Sequence, residues 1–228
     1  MNTLIPKLNE LNYIFPHPSL ATKEGLLAWG GDLSVERLLC AYEKGIFPWF
    51  NLGDPILWWS PNPRLVLCPK DIKITQSLRK SMKHFEVRFD ENFEKVMRLC
   101  RDVRVEKGQN SWIFDEMIEA YKSLHVKGFA HSVECYHQGK LVGGLYGLYL
   151  GGMFCGESMF STQRDASKAA LVALCEKVIS LNGDFIDCQL PTTHLKSMGA
   201  VEISRDVFLE MIQKHLKKKS IFGNKEIL

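Results

Sequence analysis

The sequence predicts an α+β protein in which a small N-terminal domain precedes a larger one built of helices, an antiparallel meander, a further helix and a final strand. Three observations carry that expectation. Turn residues and tryptophans crowd the first sixty or so positions; apolar residues then recur at helical spacing as far as Leu124; and from Ser132 the spacing drops to alternation. Hydrophobic residues at 46% and charged residues at 24% of 228 positions match a chain that buries a core, and no stretch has the composition of disorder.

Residues 1–62 read as the small domain. Phe15-Pro16-His17-Pro18, Gly30-Gly31-Asp32, Gly45-Ile46-Phe47-Pro48-Trp49-Phe50 and Trp58-Trp59-Ser60-Pro61-Asn62-Pro63 punctuate it, and one helix stands out. Ser34 caps that helix, Leu38, Leu39 and Tyr42 mark its apolar side, and Gly45 ends it. The prolines after Trp59 set the boundary near Asn62, so residues 63–228 form the second domain.

In that second domain a strand is expected around Leu65–Leu67 and a helix from Thr75 to Phe85, with Leu78, Met82 and Phe85 inward. A helix entered at Asp90 turns Phe93, Val96, Met97 and Cys100 inward, and another places Ile118, Tyr121 and Leu124 inward and stops at Gly128. His131–Tyr136, Leu141–Leu148 and Met153–Phe160 then read as three antiparallel strands joined by tight turns. Helix Ala166–Leu181 ends at Asn182-Gly183, and Phe185–Leu190 returns as a strand parallel to the third across a right-handed crossover. Such a switch point is a favoured place for a ligand.

Composition excludes several classes. Seven dispersed cysteines without a C-x-x-C pair form neither a disulfide framework nor a zinc cluster, which points to a reducing, cytoplasmic setting. No secretory signal is expected at the N-terminus, and the longest apolar stretch, Leu141–Phe154, is broken by glycines and shorter than the roughly 20 residues of a membrane span. A formal charge of +3 confines any RNA contact to a local patch. Histidines in H-x-x-x-H or H-E-x-x-H spacing and a G-x-S-x-G serine are absent, which counts against metal and serine hydrolysis.

The polar residues inside apolar segments are the candidates for chemistry. Asp187 and Gln189 lie two apart on an apolar strand and so face the same way, either as a site or as partners of buried groups. Glu157 sits mid-strand after a glycine, on a face with Met153, Cys155 and Met159, and calls for a cationic partner, internal or from a ligand. The turn Ser161–Lys168 leads into a helix start that holds an anion or is simply capped. Lys70, Lys73, Arg79, Lys80, Lys83 and Arg88 form a basic stretch that tracks a phosphate backbone or is merely solvated, and the lysines around Lys217 read as a solubilising tail. Trp49, Trp58, Trp59 and Trp112 read either as ordinary core or, beside prolines and glycines, as a rigid aromatic cleft.

The ordered strings Gly25–Leu33, Gly45–Phe50, Ile56–Pro61, Ala130–Glu134, Leu141–Gly147, Phe154–Ser161 and Ile186–Gln189 closely resemble the bacterial leucyl/phenylalanyl-tRNA–protein transferase family over nearly the whole chain. The resemblance implies a GNAT-type acyltransferase domain after the small N-terminal one. It also implies a reaction: Leu or Phe, and less well Met, passes from its tRNA to a protein beginning with Arg or Lys and marks it for N-end-rule degradation. No acyl-CoA and no metal would be used, and the enzyme would act as a monomer. By that likeness Asp187 and Gln189 are the catalytic pair, and Glu157 and Trp112 bind the acceptor peptide. Leu145, Met159, Leu174, Val178 and Ile186 would form the pocket for the transferred side chain; Trp49 and Ser161 would meet the terminal adenosine, and Arg79, Lys80 and Lys83 the tRNA stem. Leu174 and Val178 stand where some relatives carry phenylalanine, so the Leu-versus-Phe preference is not fixed by these residues.

The implied chemistry is undemanding. The donor is an activated ester, and an α-amine of pKa about 7.7–8.0 is partly neutral at neutral pH. Orientation by Gln189, polarised by an Asp187 bonded to its amide, should suffice without a strong base. Two rival readings follow from the residues alone: an acyl-CoA N-acetyltransferase holding pyrophosphate at Ser161–Lys168, which lacks the expected glycines there, and a non-enzymatic RNA-binding module, which leaves Asp187, Gln189 and Glu157 unexplained.

Overall fold

The computed structural model describes residues 4–216 and Phe222. In chain order it runs β1 (Lys7–Leu8), β2 (Leu26–Gly30), α1 (Val35–Tyr42), β3 (Phe47–Pro48), β4 (Leu57–Trp59), β5 (Arg64–Leu67), α2 (Gln76–Met82), β6 (Glu86–Phe89), α3 (Phe93–Glu106) and α4 (Asp115–Val126). It continues with β7 (Ala130–His137), β8 (Lys140–Leu150), β9 (Met153–Ser161), α5 (Ala166–Ser180), β10 (Phe185–Gln189), α6 (Thr193–Ser197), β11 (Val201–Ile203) and α7 (Arg205–His215).

Two sheets organise these elements. The first has the order β1-β2-β4-β3, and the second β11-β5-β10-β9-β8-β7-β6. β7, β8 and β9 form the antiparallel meander, α5 crosses over, and β10 lies parallel to β9, which is the expected order of meander, helix and parallel strand. The Gln138-Gly139 turn between β7 and β8 has both residues at positive φ, the geometry of a two-residue hairpin.

Several elements differ from expectation. The N-terminal segment is a four-stranded sheet as well as a helix, because its strands are only two to five residues long and interrupted by prolines and glycines that hide the alternation. The helix expected to reach Phe85 ends at Met82, and Glu86–Phe89 pairs with β7 as the edge strand β6. Asp90 does not open α3: it sits at φ 61° and its carboxylate accepts from the Ser132 backbone N–H and contacts His131 Nδ1. The Lys217–Lys219 tail lies outside the described residues.

Capping matches the reading at α1, where the Ser34 hydroxyl accepts from the Arg37 N–H and Gly45 follows at φ 72°. The core forms two layers, one on each face of the large sheet. The first joins Leu38 and Tyr42 of α1 and Trp58 of β4 to α3, α4 and Phe208 of α7. The second packs α5 and α2 on the opposite face around Leu145, Phe154 and Ile186. α5 approaches β8 closely, since a Cβ built on Gly143 would lie 2.5 Å from the Ala166 methyl and 2.8 Å from the Ala166 backbone.

Gly143→Ala should therefore destabilise the fold by about 1–3 kcal/mol through overpacking. A chemical-denaturation midpoint indistinguishable from wild type would contradict that close packing.

Candidate active site

Two irregularities, side by side in neighbouring strands, open the large sheet. The parallel pairing of β10 with β9 covers Phe185, Ile186 and Asp187 against Met153, Phe154 and Cys155 and goes no further. At that point β9 bulges, Gly156 facing Gly147 and Ser158 facing Tyr146, so that Glu157 is the extra residue. β10 is irregular between Asp187 and Gln189 against β5, and Gln189 takes φ 61°, a conformation uncommon for a side chain of this kind. Between the parted strands lies a cavity of about 440 Å³. Glu157, Gln189, Trp49, Trp112, Leu145, Met159, Leu174 and Ile186 all line it.

The bulge changes one expectation. Met153 and Cys155 pack in the core layer shared with the N-terminal segment, whereas Met159 packs with the α5 layer, because the inserted residue reverses the alternation beyond it.

Asp187 and Gln189 are both buried, but their side chains do not bond to each other. Arg64, at the start of β5, donates from Nε to Asp187 Oδ1 at 2.8 Å and from Nη2 to Oδ2 at 2.7 Å, a bidentate pair with both side chains 1% exposed. Arg64 Nη1 also donates to the Gly45 carbonyl, and its guanidinium lies 4.9 Å from the Phe47 ring and 4.5 Å from that of Phe208. Asp187 Oδ1 accepts in addition from the backbone N–H of Gln189 at 2.9 Å. Asp187 thus holds the Gln189 backbone in its kinked conformation, and the expected bond to the Gln189 side-chain amide is not formed.

That amide goes to Glu157 instead, Nε2 donating to Oε1 at 2.7 Å. The Tyr42 hydroxyl donates to the same oxygen at 2.7 Å, the Tyr121 hydroxyl donates to Oε2 at 3.0 Å, and the two hydroxyls also contact each other. The expectation of an internal Arg or Lys fails: the described residues surround Glu157 with neutral donors. Burial pushes its carboxyl up to about 7, while the bonds from Tyr42, Tyr121 and Gln189 pull the other way. A carboxylate only accepts, so it turns the Gln189 nitrogen toward itself and leaves the amide oxygen as the end facing away. That oxygen has no hydrogen bond among the described residues.

Other expected site residues fall in three places. Trp49 and Trp112 meet edge to face in the cavity wall, ring centroids 6.3 Å apart, with Trp59 5.6 Å from Trp49. Val178 stays outside the cavity: one turn beyond Leu174 on α5, it is fully buried and packs toward Gly183. Ser161 also lies outside it, its hydroxyl donating to the Gln163 carbonyl and accepting from the Ser167 N–H, which makes it a brace for the start of α5. Arg79, Lys80 and Lys83 are exposed on α2 and its C-cap, away from the cavity lining, whereas Arg88 is paired with Glu86 and Glu91.

Sequence reasoning missed Arg64, and read Tyr42 and Tyr121 only as inward helix positions. A lone arginine opening an apolar strand was the available signal for the first; for the tyrosines there was none, since a phenolic ring on an apolar helix face reads as core. Phe154, Leu171, Cys188, His194 and Leu195 also line the cavity. Burial raises the Cys188 thiol well above its ordinary value, which keeps it protonated beside the site. Among the described residues no cluster of three or more His, Cys, Asp or Glu side chains could hold a metal, and no helix is long and apolar enough to cross a membrane.

Removing Arg64 would strand a buried carboxylate, so Arg64→Met should cost about 3–5 kcal/mol, and the double variant Arg64→Met/Asp187→Leu should recover most of it. Equal destabilisation by the single and double variants in urea titrations would show that the pair is not the source. Tyr121→Phe removes a donor that favours the ionised form of Glu157 and should push that carboxyl above 7, read from its carbonyl stretch in infrared difference spectra across pH.

Known proteins with similar sequences converge on one family. Residues 66–213 match the family model described as leucyl/phenylalanyl-tRNA protein transferase, and residues 31–62 match that of its N-terminal domain. A leucyl/phenylalanyl-tRNA–protein transferase of Sulfurimonas denitrificans is 55% identical over 92% of this chain and 92% of its own length. One of Legionella pneumophila is 52% identical over 93% of this chain and 96% of its own. Among solved structures, the C-terminal domain of a putative lysylphosphatidylglycerol synthetase from Agrobacterium fabrum is similar at a TM-score of 0.43 and 9% identity, covering 83% of this chain and 59% of that one.

Proposed function

The chain belongs to the leucyl/phenylalanyl-tRNA–protein transferase family and is therefore a tRNA-dependent aminoacyltransferase, and on that premise we propose that the cavity between β9 and β10 is where Leu or Phe passes to a protein beginning with Arg or Lys. The observation that carries this reading is Glu157, an acid in the cavity wall whose bonding partners are all neutral. An arginine or lysine side chain of the acceptor supplies the missing positive charge. Leu145, Met159, Leu174 and Ile186, on the apolar side of the same cavity, receive the transferred side chain. Trp49 receives the terminal adenosine, Trp112 beside it contacts the acceptor peptide, and the exposed Arg79, Lys80 and Lys83 meet the tRNA further out. Neither acyl-CoA nor a metal takes part. The enzyme works as a cytoplasmic monomer and marks its acceptors for N-end-rule degradation.

The reaction is aminolysis. The acceptor nitrogen attacks the ester carbonyl, a C–N bond forms as the C–O bond to the ribose breaks, and the proton lost by nitrogen ends on the ribose hydroxyl. Gln189 contributes its free amide oxygen, which accepts from the attacking amine and aims its lone pair at the carbonyl. Glu157 fixes that orientation by holding the amide nitrogen, and its negative charge also stabilises the positive charge that develops on the attacking nitrogen. Asp187 acts one step back, clamped by Arg64 and holding the Gln189 backbone at φ 61°.

Three outcomes test the reading. Purified protein given leucyl- or phenylalanyl-tRNA and a peptide beginning with Arg should add the residue's mass to the peptide; mass gain from acetyl-CoA instead would name the other donor. Gln189→Ala and Asp187→Asn should each lower turnover by about 10²–10⁴-fold while tRNA binding persists, and wild-type rates in either would remove that residue from the mechanism. Ionisation of Glu157 near 7 creates the charge that attracts the acceptor, so the acceptor KM should fall as pH rises through about 7 and flatten above it. Glu157→Gln should abolish both that pH dependence and the preference for Arg and Lys; a preference that survives would overturn the assignment.

A further inference from the structure

One cation in the cavity wall has no role in the chemistry above. Arg104, on the last turn of α3, lines the cavity with its guanidinium over the Trp112 ring, 4.5 Å from the centroid. Its Nε is buried without a hydrogen-bond partner, and it forms no ion pair among the described residues. The other arginines of the same helix behave differently. Arg98 pairs with Glu94, and Arg101 pairs with Asp102 and Asp115. A buried, unpaired guanidinium donor is costly to maintain unless a ligand completes it.

The charge of that ligand can be read from the two substrates. The acceptor brings an α-ammonium, which a guanidinium repels. The donor brings phosphodiesters, the nearest of them on the 5′ oxygen of the adenosine that carries the ester. A guanidinium 4.5 Å over the Trp112 indole, beside the 40% exposed Trp49, is an arrangement that receives a base and its phosphate together. The rigid fork suits two-point contact with phosphate oxygens, which a lysine cannot reproduce.

We propose that Arg104 is the subsite for the phosphodiester joining the terminal adenosine to the rest of the charged tRNA, and that it sets the depth to which the 3′ end enters the cavity. This rests on the reading of the cavity as the place where the charged 3′ end binds.

The test compares two short donors, the leucyl ester of adenosine and the leucyl ester of adenosine 5′-(methyl phosphate), with leucyl-tRNA as the reference and an Arg-initiated peptide as acceptor. Wild type should show a KM about tenfold or more lower for the phosphorylated donor. In Arg104→Met that ratio should collapse toward one, and Arg104→Lys should fall between. With leucyl-tRNA, the slope of log KM against log salt should shrink by about 0.7 in Arg104→Met, the loss of one single-strand phosphate contact; this readout decides the matter if neither short donor reacts. A donor ratio or a salt slope unchanged in Arg104→Met overturns the proposal, as does an equal loss with both donors in both variants, which would make Arg104 structural. If wild type transfers nothing from leucyl-tRNA, the reading of the cavity fails; if it does transfer and the two short donors behave alike, only the subsite fails.

Discussion

The bidentate contact between Arg64 and Asp187 ties together parts of the chain that are far apart in sequence. Arg64 begins the large sheet, Gly45 and Phe47 belong to the N-terminal segment, Asp187 ends the parallel strand, and Phe208 belongs to the last helix; all of them meet at one sealed guanidinium. Sealing a charge pair from water is favourable only when the geometry is good and the remaining donors and acceptors are occupied. Here the remaining bonds go to the Gly45 carbonyl and the Gln189 N–H, so the same interaction that satisfies the pair fixes the N-terminal segment against the sheet and sets the backbone of Gln189.

From that fixed point the cavity follows. β10 cannot continue alongside β9 once Gln189 is drawn to positive φ, and β9, bulged at Glu157, turns away at the same level. Two small irregularities open a wedge whose one wall is apolar and whose other wall carries the acid, the amide and the aromatic rings. Neither a straight β9 nor a straight β10 would leave that space, because regular pairing would keep the strands about 4.8 Å apart along their length.

Glu157 shows how surroundings rather than residue type set a group's chemistry. Burial pushes its ionisation up to about 7, and the three neutral donors that hold it pull back only part of the way because none of them carries a charge. It is also the neighbour that turns the Gln189 amide, a coupling absent from any reading in which Asp187 and Gln189 act as an isolated pair. Tyr42 comes from the small N-terminal segment and Tyr121 from α4, so the charge in the cavity depends on both parts of the chain packing together.

Much of the large domain was legible in the sequence because its signals are local. The change from helical to alternating spacing at Ser132, the Gln138-Gly139 and Asn182-Gly183 turns, and the Ser34 cap depend on neighbours a few residues away, and the ordered strings pointed to the family without any structure. By itself the sequence determined the meander, helix and parallel strand, the kind of enzyme, and the cluster of Asp187, Gln189 and Glu157 as the residues to watch. Only the tertiary structure decided what each of these touches. Arg64 lies 123 positions from Asp187 and Tyr42 lies 115 from Glu157, and a bulge that reverses a strand's faces leaves no mark on alternation. The short N-terminal strands and the exclusion of Val178 from the cavity were hidden for the same reason: long-range packing selects among local options that the chain leaves equivalent.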